Sequence, residues 1–374
     1  MDTTESILRN EERAVLRLRK LYESYGYSQF KMSKFEEYDL YVRNKDFLIS
    51  DNIITFTDTN GKLMALKPDV TLSIIKNIKE DTDCIQKVYY SENVYRVSKD
   101  THTYKELMQT GLECIGNIDL YHICEVILLA AKSLEALSNH YIFALSHIGV
   151  VSSILEALNL DEEQKKQIFQ FIGEKNTHGI ERICKQTGKD NKLSEILITL
   201  ISTYGPAETV LDKLKVISIN EKMNEYISEM ESIFQILKLN NYENIQIDFS
   251  VVNGMNYYNG IVFQGFINGI PSAVLSGGRY DILMKKMGKQ SGAIGFAVYL
   301  NLLQYLSYSR EPYDIDVLLL YSTLTDVKVL TEAVKELHRG GQSVQVQKTI
   351  PQNLKYKKLV QIKDGRLEIL ESND

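Results

Sequence analysis

Lys87–Val97 and Lys105–Gly116 both read as strands, and only a polar loop, Ser98–Tyr104, separates them. A connection that short joins antiparallel neighbours, because parallel strands need a crossover of a dozen residues or more. The segment that follows, Asp119–Ser138, is apolar over so much of its circumference that it suits a helix buried against such a sheet. An antiparallel sheet flanked by helices, an α+β arrangement, is the fold class these three segments demand.

The rest of the chain extends that plan. Leu8–Tyr25 repeats apolar residues at helical spacing (Leu8, Val15, Leu18, Tyr22) and ends at Gly26. Asp51–Leu66 reads as a hairpin that turns at Thr59-Asn60-Gly61, and Asp69 or Val70 opens a helix toward Lys79. From Leu158 to Glu231 the pattern is helical, polar and rich in lysine; its first part, about 158–215, reads as a helical insertion. Strands return at Ile245–Val252, Tyr257–Phe266 and Ala293–Ala297, the last feeding a helix over Val298–Tyr308. Arg310-Glu311-Pro312 marks a boundary. It divides the chain into a domain over 1–310 and a small C-terminal α/β domain over 313–374. The latter has strands at Ile315–Tyr321 and Ser343–Gln347, a helix at Asp326–Arg339 and a hairpin around Lys363-Asp364-Gly365.

Composition excludes several function classes. The 374 residues are 44% apolar and 25% charged, the make-up of a soluble globular protein with a large core. A net charge of -6 is a poor footprint for nucleic acid, whose phosphates select Lys/Arg excess. The longest apolar run, near Val126–Ala131, is too short to span a membrane, and the polar start of the chain is unlike a signal peptide, so the cytoplasm is the expected location. Cys84, Cys114, Cys124 and Cys184 lack metal-ligand spacing and read as buried thiols in a reducing compartment. The six histidines are scattered, so none is expected to be catalytic or to bind metal, His102 being the nearest to an exception. No cofactor is expected.

Five short motifs then occur in one order: Leu66-Lys67-Pro68-Asp69-Val70-Thr71; Val94-Tyr95-Arg96 followed by Gln109-Thr110-Gly111-Leu112-Glu113; Gly254 with Tyr257-Tyr258; Ser276-Gly277-Gly278-Arg279-Tyr280-Asp281; and Ala293-Ile294-Gly295-Phe296-Ala297. Each alone is weak. Together they resemble the catalytic core of class II aminoacyl-tRNA synthetases over roughly residues 5–310, and the histidine enzyme in particular. The resemblance implies a histidine pocket. Asp69, Thr71 and Gln109 would face the ligand's ammonium, Arg96 its carboxylate, and Glu113, Tyr258 and Tyr280 its ring, with Tyr257 beside them. Tyr257 and Tyr258 on one strand would alternate faces, leaving one of them in the core. Gly277, Gly278 and Arg279 read as structural.

Three departures matter. Asn253 stands where the synthetases have an arginine that helps activate the amino acid, Ser98 where motif 2 has a glutamate used around ATP, and Leu302 where motif 3 has an arginine for the triphosphate. Gln264 replaces a further glutamate. Losing one preorganised donor to developing charge costs about 2.7–4 kcal/mol of transition-state stabilisation, so little adenylation should remain. The stretch after Pro312 is also short for an anticodon-binding domain. These properties resemble those of the regulatory subunits of ATP phosphoribosyltransferase. That resemblance implies a short catalytic subunit as partner, histidine as feedback effector, a homodimer of regulatory chains formed through the region Tyr25–Tyr41, no nucleic acid and no catalytic residue. The competing readings are a divergent histidyl-tRNA synthetase and a synthetase-like sensor of another amino acid.

Overall fold

The computed structural model describes residues 8–45, 48, 53–79, 84–98, 101–186, 191–251, 257–305, 313–363 and 365–373. Helix α1 (Asn10–Ser24) starts where the Glu12 carboxylate reaches back to accept the Arg9 backbone N–H at 2.9 Å, and it stops before Gly26, which takes a φ of 82°. Its apolar stripe, Ala14, Leu18 and Tyr22, is buried. Next come β1 (Ser28–Gln29), β2 (Phe35–Glu37), helix α2 (Tyr38–Arg43), β3 (Thr55–Thr57) and β4 (Leu63–Leu66). Strands β3 and β4 form the expected hairpin. The Asp58 carboxylate ties its turn by accepting the N–H groups of Asn60 and Lys62, both at 2.8 Å. With β2 they make a three-stranded sheet in the order β2-β4-β3.

Helix α3 (Val70–Asn77) is capped by Asp69, whose carboxylate accepts the Leu72 N–H at 2.9 Å. The long strands β5 (Gln86–Val97) and β6 (Tyr104–Gly116) pair antiparallel along their whole length and lead into α4 (Leu120–Leu137), capped by Asp119. After β7 (Tyr141–His147) and α5 (Ile148–Ala157) come α6 (Glu162–Gly173), α7 (Thr177–Gln186), α8 (Asn191–Ser202), a short β8 (Tyr204–Pro206), α9 (Ala207–Ile217) and α10 (Glu221–Leu239). The segment 158–215 therefore includes a strand, and β8 pairs with β9 (Ile245–Asp248) at the edge of the main sheet. The first unit, Met1–Leu306, ends with β10 (Ile261–Ile267), β11 (Leu275–Arg279), α11 (Asp281–Lys286), β12 (Gly292–Tyr299) and a 3₁₀ segment, Leu300–Tyr305.

The main sheet runs β1-β5-β6-β12-β11-β10-β7-β9-β8, antiparallel except for β1 with β5 and β7 with β9. One face carries the principal core, where Leu112, Phe263, Ile294 and Phe296 meet α1 and α4; the Tyr22 and Ser133 hydroxyls bond at 3.0 Å across those two helices. The opposite face is lined by a second cluster that includes Tyr90, Ile115, Tyr280 and Ala293, beneath α3.

Three expectations need correction. Strand β10 starts at Ile261, not Tyr257, because Asn259 turns the chain first: its side chain accepts the Asp281 N–H at 2.7 Å and its own N–H donates to Arg279 O. The segment after β12, Leu300–Tyr305, is 3₁₀ rather than α-helical, and it buries Leu300 and Leu303. Cys84 is exposed; the other three cysteines are buried.

The second unit, Ser307–Asp374, is built from β13 (Ile315–Leu320), α12 (Val327–Arg339), β14 (Val344–Gln347), β15 (Tyr356–Lys363) and β16 (Arg366–Ser372). Its sheet order is β14-β13-β15-β16, with β13 parallel to both neighbours, and Val317, Leu319, Ala333 and Val360 form its core. Among the described residues no helix is long and apolar enough to cross a membrane, and no group of His, Cys, Asp and Glu could hold a metal ion.

Candidate functional site

Glu113 lies on the face of β6 opposite the main core, in register with Val88 on β5 and Gly295 on β12. Only a glycine leaves room for it: a Cβ at Gly295 would sit 1.7 Å from the Glu113 Oε2. The carboxyl group is 2% exposed, and it accepts the Thr71 hydroxyl at 2.8 Å and the Tyr280 hydroxyl at 2.5 Å. Burial pushes its acid up to about 8, against the pull of those two donors, and the nearby Asp69 adds to the rise.

Aromatic rings wall the cleft. Tyr257 meets Tyr258 edge-on at 4.8 Å and Tyr280 at 5.5 Å between ring centres. Both residues of the Tyr257-Tyr258 pair reach this cleft, ahead of β10 rather than on a strand, and Tyr258 packs against the main core as well. Burial, reinforced by the negative charge of Glu113, pushes the hydroxyls of Tyr90, Tyr257, Tyr258 and Tyr280 well above the ordinary tyrosine range. They stay protonated, so each can both donate and accept.

At the other end stand Asp69 and Arg96. Burial raises the Asp69 acid, opposed by the Leu72 N–H and by the charge of Arg96. The Arg96 Nε donates to the Pro68 carbonyl at 3.1 Å, which fixes the plane of the guanidinium. Beneath them Lys67, fully buried, pairs with Glu92 at 2.8 Å. Gln109, 4% exposed, shares the Glu113 face of β6 and lies in register between Glu92 and Tyr299.

The structure thus joins Thr71, Glu113 and Tyr280 by hydrogen bonds, Tyr257, Tyr258 and Tyr280 by ring contact, and Asp69 with Arg96 through their charges. Four further residues belong to the cleft that sequence reasoning missed. Tyr90 feels Glu113 and Asp69, Tyr299 feels Arg96, Ser276 bonds toward Tyr258 and Tyr299, and Gly295 makes the space. Their signal lies in strand register, which a single sequence does not display.

The Gly277–Asp281 signature serves the backbone. The Asp281 carboxylate accepts Arg279 Nε at 2.8 Å, the Ala293 N–H at 3.0 Å and Asn259 Nδ2 at 3.4 Å, so it welds the turn before β10 to the ends of β11 and β12. His147, another residue without a sequence signal, is buried at the start of α5. There its Nδ1 accepts the Gly149 N–H at 3.0 Å and its ring stacks on Tyr226. As for the departures, Leu302 packs against the main core, and Ser98 closes its loop through backbone bonds with His102 and Thr103. Asn253 and Gly254 lie outside the described residues.

With this geometry established, comparison with known proteins is direct. The family model described as histidyl-tRNA synthetase matches residues 1–303. An ATP phosphoribosyltransferase regulatory subunit from Caldanaerobacter subterraneus subsp. tengcongensis is 33% identical over 290 residues, 75% of this chain and 74% of the relative. The chain belongs to the histidyl-tRNA synthetase family, among the ATP phosphoribosyltransferase regulatory subunits. A regulatory subunit from Oceanobacillus iheyensis is 28% identical over 314 residues, 83% of this chain and 73% of the other. In fold, the chain resembles an ATP phosphoribosyltransferase regulatory subunit/histidyl-tRNA synthetase from Bacillus halodurans (TM-score 0.73, 23% identity, 90% and 88% of the two chains). It also resembles a chain of an ATP phosphoribosyl transferase complex from Thermotoga maritima (TM-score 0.61, 18% identity, 76% and 96%).

Proposed function

We propose that this regulatory subunit senses histidine in the Glu113 cleft and thereby sets the activity of a short ATP phosphoribosyltransferase catalytic subunit. The observation that carries the reading is the buried Glu113 carboxyl, held by Thr71 and Tyr280 and walled by tyrosines. An imidazole offers two nitrogens, and a cleft whose groups match both rejects rings that leave a buried polar group unpaired, at about 1–3 kcal/mol each. Glu113, Tyr258 and Tyr280 suit the ring. Asp69, Gln109 and the Thr71 oxygen suit the ammonium. The Arg96 guanidinium suits the carboxylate. Tyr257 braces the ring wall.

Nucleotide activation calls for a guanidinium at the position of Leu302, which instead packs its apolar side chain against the main core and offers nothing to a triphosphate. The effect of histidine is then allosteric. By linkage, whatever factor histidine takes from the partner's active state, that state takes from histidine affinity. A dimer of regulatory chains is part of the same proposal. Phe35 and Phe56, 52% and 37% exposed and 5.4 Å apart, offer an apolar face on the three-stranded sheet within and beside Tyr25–Tyr41.

Calorimetry with a panel of amino acids tests the ligand. Binding of histidine alone, lost in Glu113→Ala together with feedback, supports the assignment; undiminished feedback in that variant rejects it. ATP–pyrophosphate exchange with histidine should be absent, and light scattering of Phe35→Glu should show a monomer.

A further inference from the structure

Among the described residues, the two buried glutamates of the first unit other than Glu113 each meet a cation: Glu125 lies 2.6 Å from the Lys87 ammonium and Glu36 2.7 Å from Lys76. Among the described residues Glu113 meets hydroxyls only. The groups around it come from five elements: Asp69 and Thr71 from the start of α3, Tyr90 from β5, Cys114 beside it on β6, Tyr257 and Tyr258 from the turn before β10, and Tyr280 at the start of α11. From β12 it faces the Gly295 backbone. Among these described residues the one readily charged group is Asp69, which is also an acid. The positive charge of Arg96 acts on Asp69 and Tyr299 instead.

A cleft of this kind holds one proton in place of a cation. Building on the reading of histidine as ligand, we infer that the imidazole binds together with a single proton shared between its ring and Glu113, so that histidine affinity peaks in a window around neutral pH. The proton inventory sets both edges. A free imidazole takes up a proton below about 6.5. The empty cleft keeps one on Glu113 up to about 8. Between these values the free pair carries one proton, on Glu113, and the complex carries one, shared, so binding moves none. Below the window the free pair carries two, and one must leave to solvent for the ring to seat. Above it the free pair carries none, and one must enter from solvent. Affinity therefore falls on both sides.

Calorimetric titration of histidine into the complex of this chain with its catalytic subunit tests the inference, each pH being run in two buffers of different ionisation enthalpy. At pH 7.2 the heats should give close to zero protons exchanged. At pH 5.5 nearly one proton should be released, and Kd should be about tenfold weaker. At pH 8.5 Glu113→Gln should take up roughly three-quarters of a proton less than the wild type, and should escape its roughly threefold loss of affinity relative to pH 7.2. The ligand's own amino group titrates alike in both proteins and cancels. Tyr280→Phe removes a donor that holds the Glu113 acid down, and should move the alkaline edge to higher pH. Histidine binding with the same proton count and pH profile in the wild type and Glu113→Gln overturns the proton-sharing inference alone. Absence of any histidine heat in the assembled complex overturns the ligand assignment with it.

Discussion

Gly295→Ala is a severe test of how this cleft is built. The added methyl would lie 1.7 Å from Glu113 Oε2, 2.6 Å from its Cδ and 2.4 Å from the Leu112 carbonyl oxygen. The carboxyl group must swing away, and β6 and β12 must separate slightly. Swinging away breaks the bonds from Thr71 and Tyr280 and leaves two buried hydroxyls unmatched, at about 1–3 kcal/mol each. The expected loss of stability is about 2–5 kcal/mol, read as a lower urea midpoint. Histidine affinity should drop by roughly thirtyfold or more, since every 1.4 kcal/mol is a factor of ten. A double-mutant cycle separates this from general crowding of the strands. In a Glu113→Ala background the clash with the carboxyl group is gone while the clash with Leu112 remains. Gly295→Ala should therefore cost at least about 1 kcal/mol less there than in the wild type. Equal costs in the two backgrounds would refute the idea that Gly295 exists to admit Glu113. As a control, Gly61→Ala strains a turn held at a φ of 81° in open space, and should lower stability without touching histidine affinity.

The raised Glu113 acid has a consequence for folding. Between its unfolded value near 4.3 and its folded value of about 8, the native state holds a proton that the unfolded chain has released, so stability falls as pH rises through that range, by on the order of 4–5 kcal/mol in all. Urea midpoints at pH 5 and pH 8.5 should differ more for the wild type than for Glu113→Gln; parallel pH profiles would be the wrong result. Asp281→Ala deletes the acceptor of three donors around the β10, β11 and β12 ends and should destabilise by about 2–4 kcal/mol, with the protein that remains folded still preferring histidine among amino acids. Arg96→Ala should weaken histidine by at least tenfold yet barely change binding of histamine, which has no carboxylate; equal losses for both would remove Arg96 from that role. Ellman's reagent should label Cys84 rapidly in the native protein and the other three cysteines only on unfolding, since burial also pushes the Cys114 and Cys124 thiols up to about 12 and about 11.

What could be read without coordinates follows from which constraints are local. The β5–β6 pair and α4 were legible because strand length, a short polar loop and a continuous apolar helix are properties of consecutive residues. The Asp58 turn and the Asp69 cap were legible for the same reason. Chemistry-bearing side chains such as Glu113, Arg96 and Tyr280 stood out through the resemblance of their motifs to those of the class II synthetases, not through any local pattern of their own. The turn before β10 did not, because a tyrosine pair followed by Ile261–Ile267 continues a strand pattern, and only the distant Asp281 stops it. The 3₁₀ form of Leu300–Tyr305 was likewise not legible, because residues three apart share a face in either helix type.

The least legible residues are those that act by being small. Gly295 offers no chemistry, and nothing near it in sequence says that it lies across from a carboxylate. That knowledge comes from register, which is set by pairing along the whole length of β6 and β12. Gly111, two residues before Glu113 on the same face, is the parallel case: a Cβ there would meet the Phe296 carbonyl at 2.1 Å and the Tyr90 hydroxyl at 2.7 Å. Recognition in this cleft therefore rests on two kinds of residue that sequence reveals unequally. The groups that touch a ligand are visible as residue types. The glycines that let those groups stand upright sit inside recognisable motifs too, but their purpose shows only when the strands are laid side by side: register sets Gly295 against the Glu113 carboxyl, and Gly111 against the Phe296 carbonyl and the Tyr90 ring.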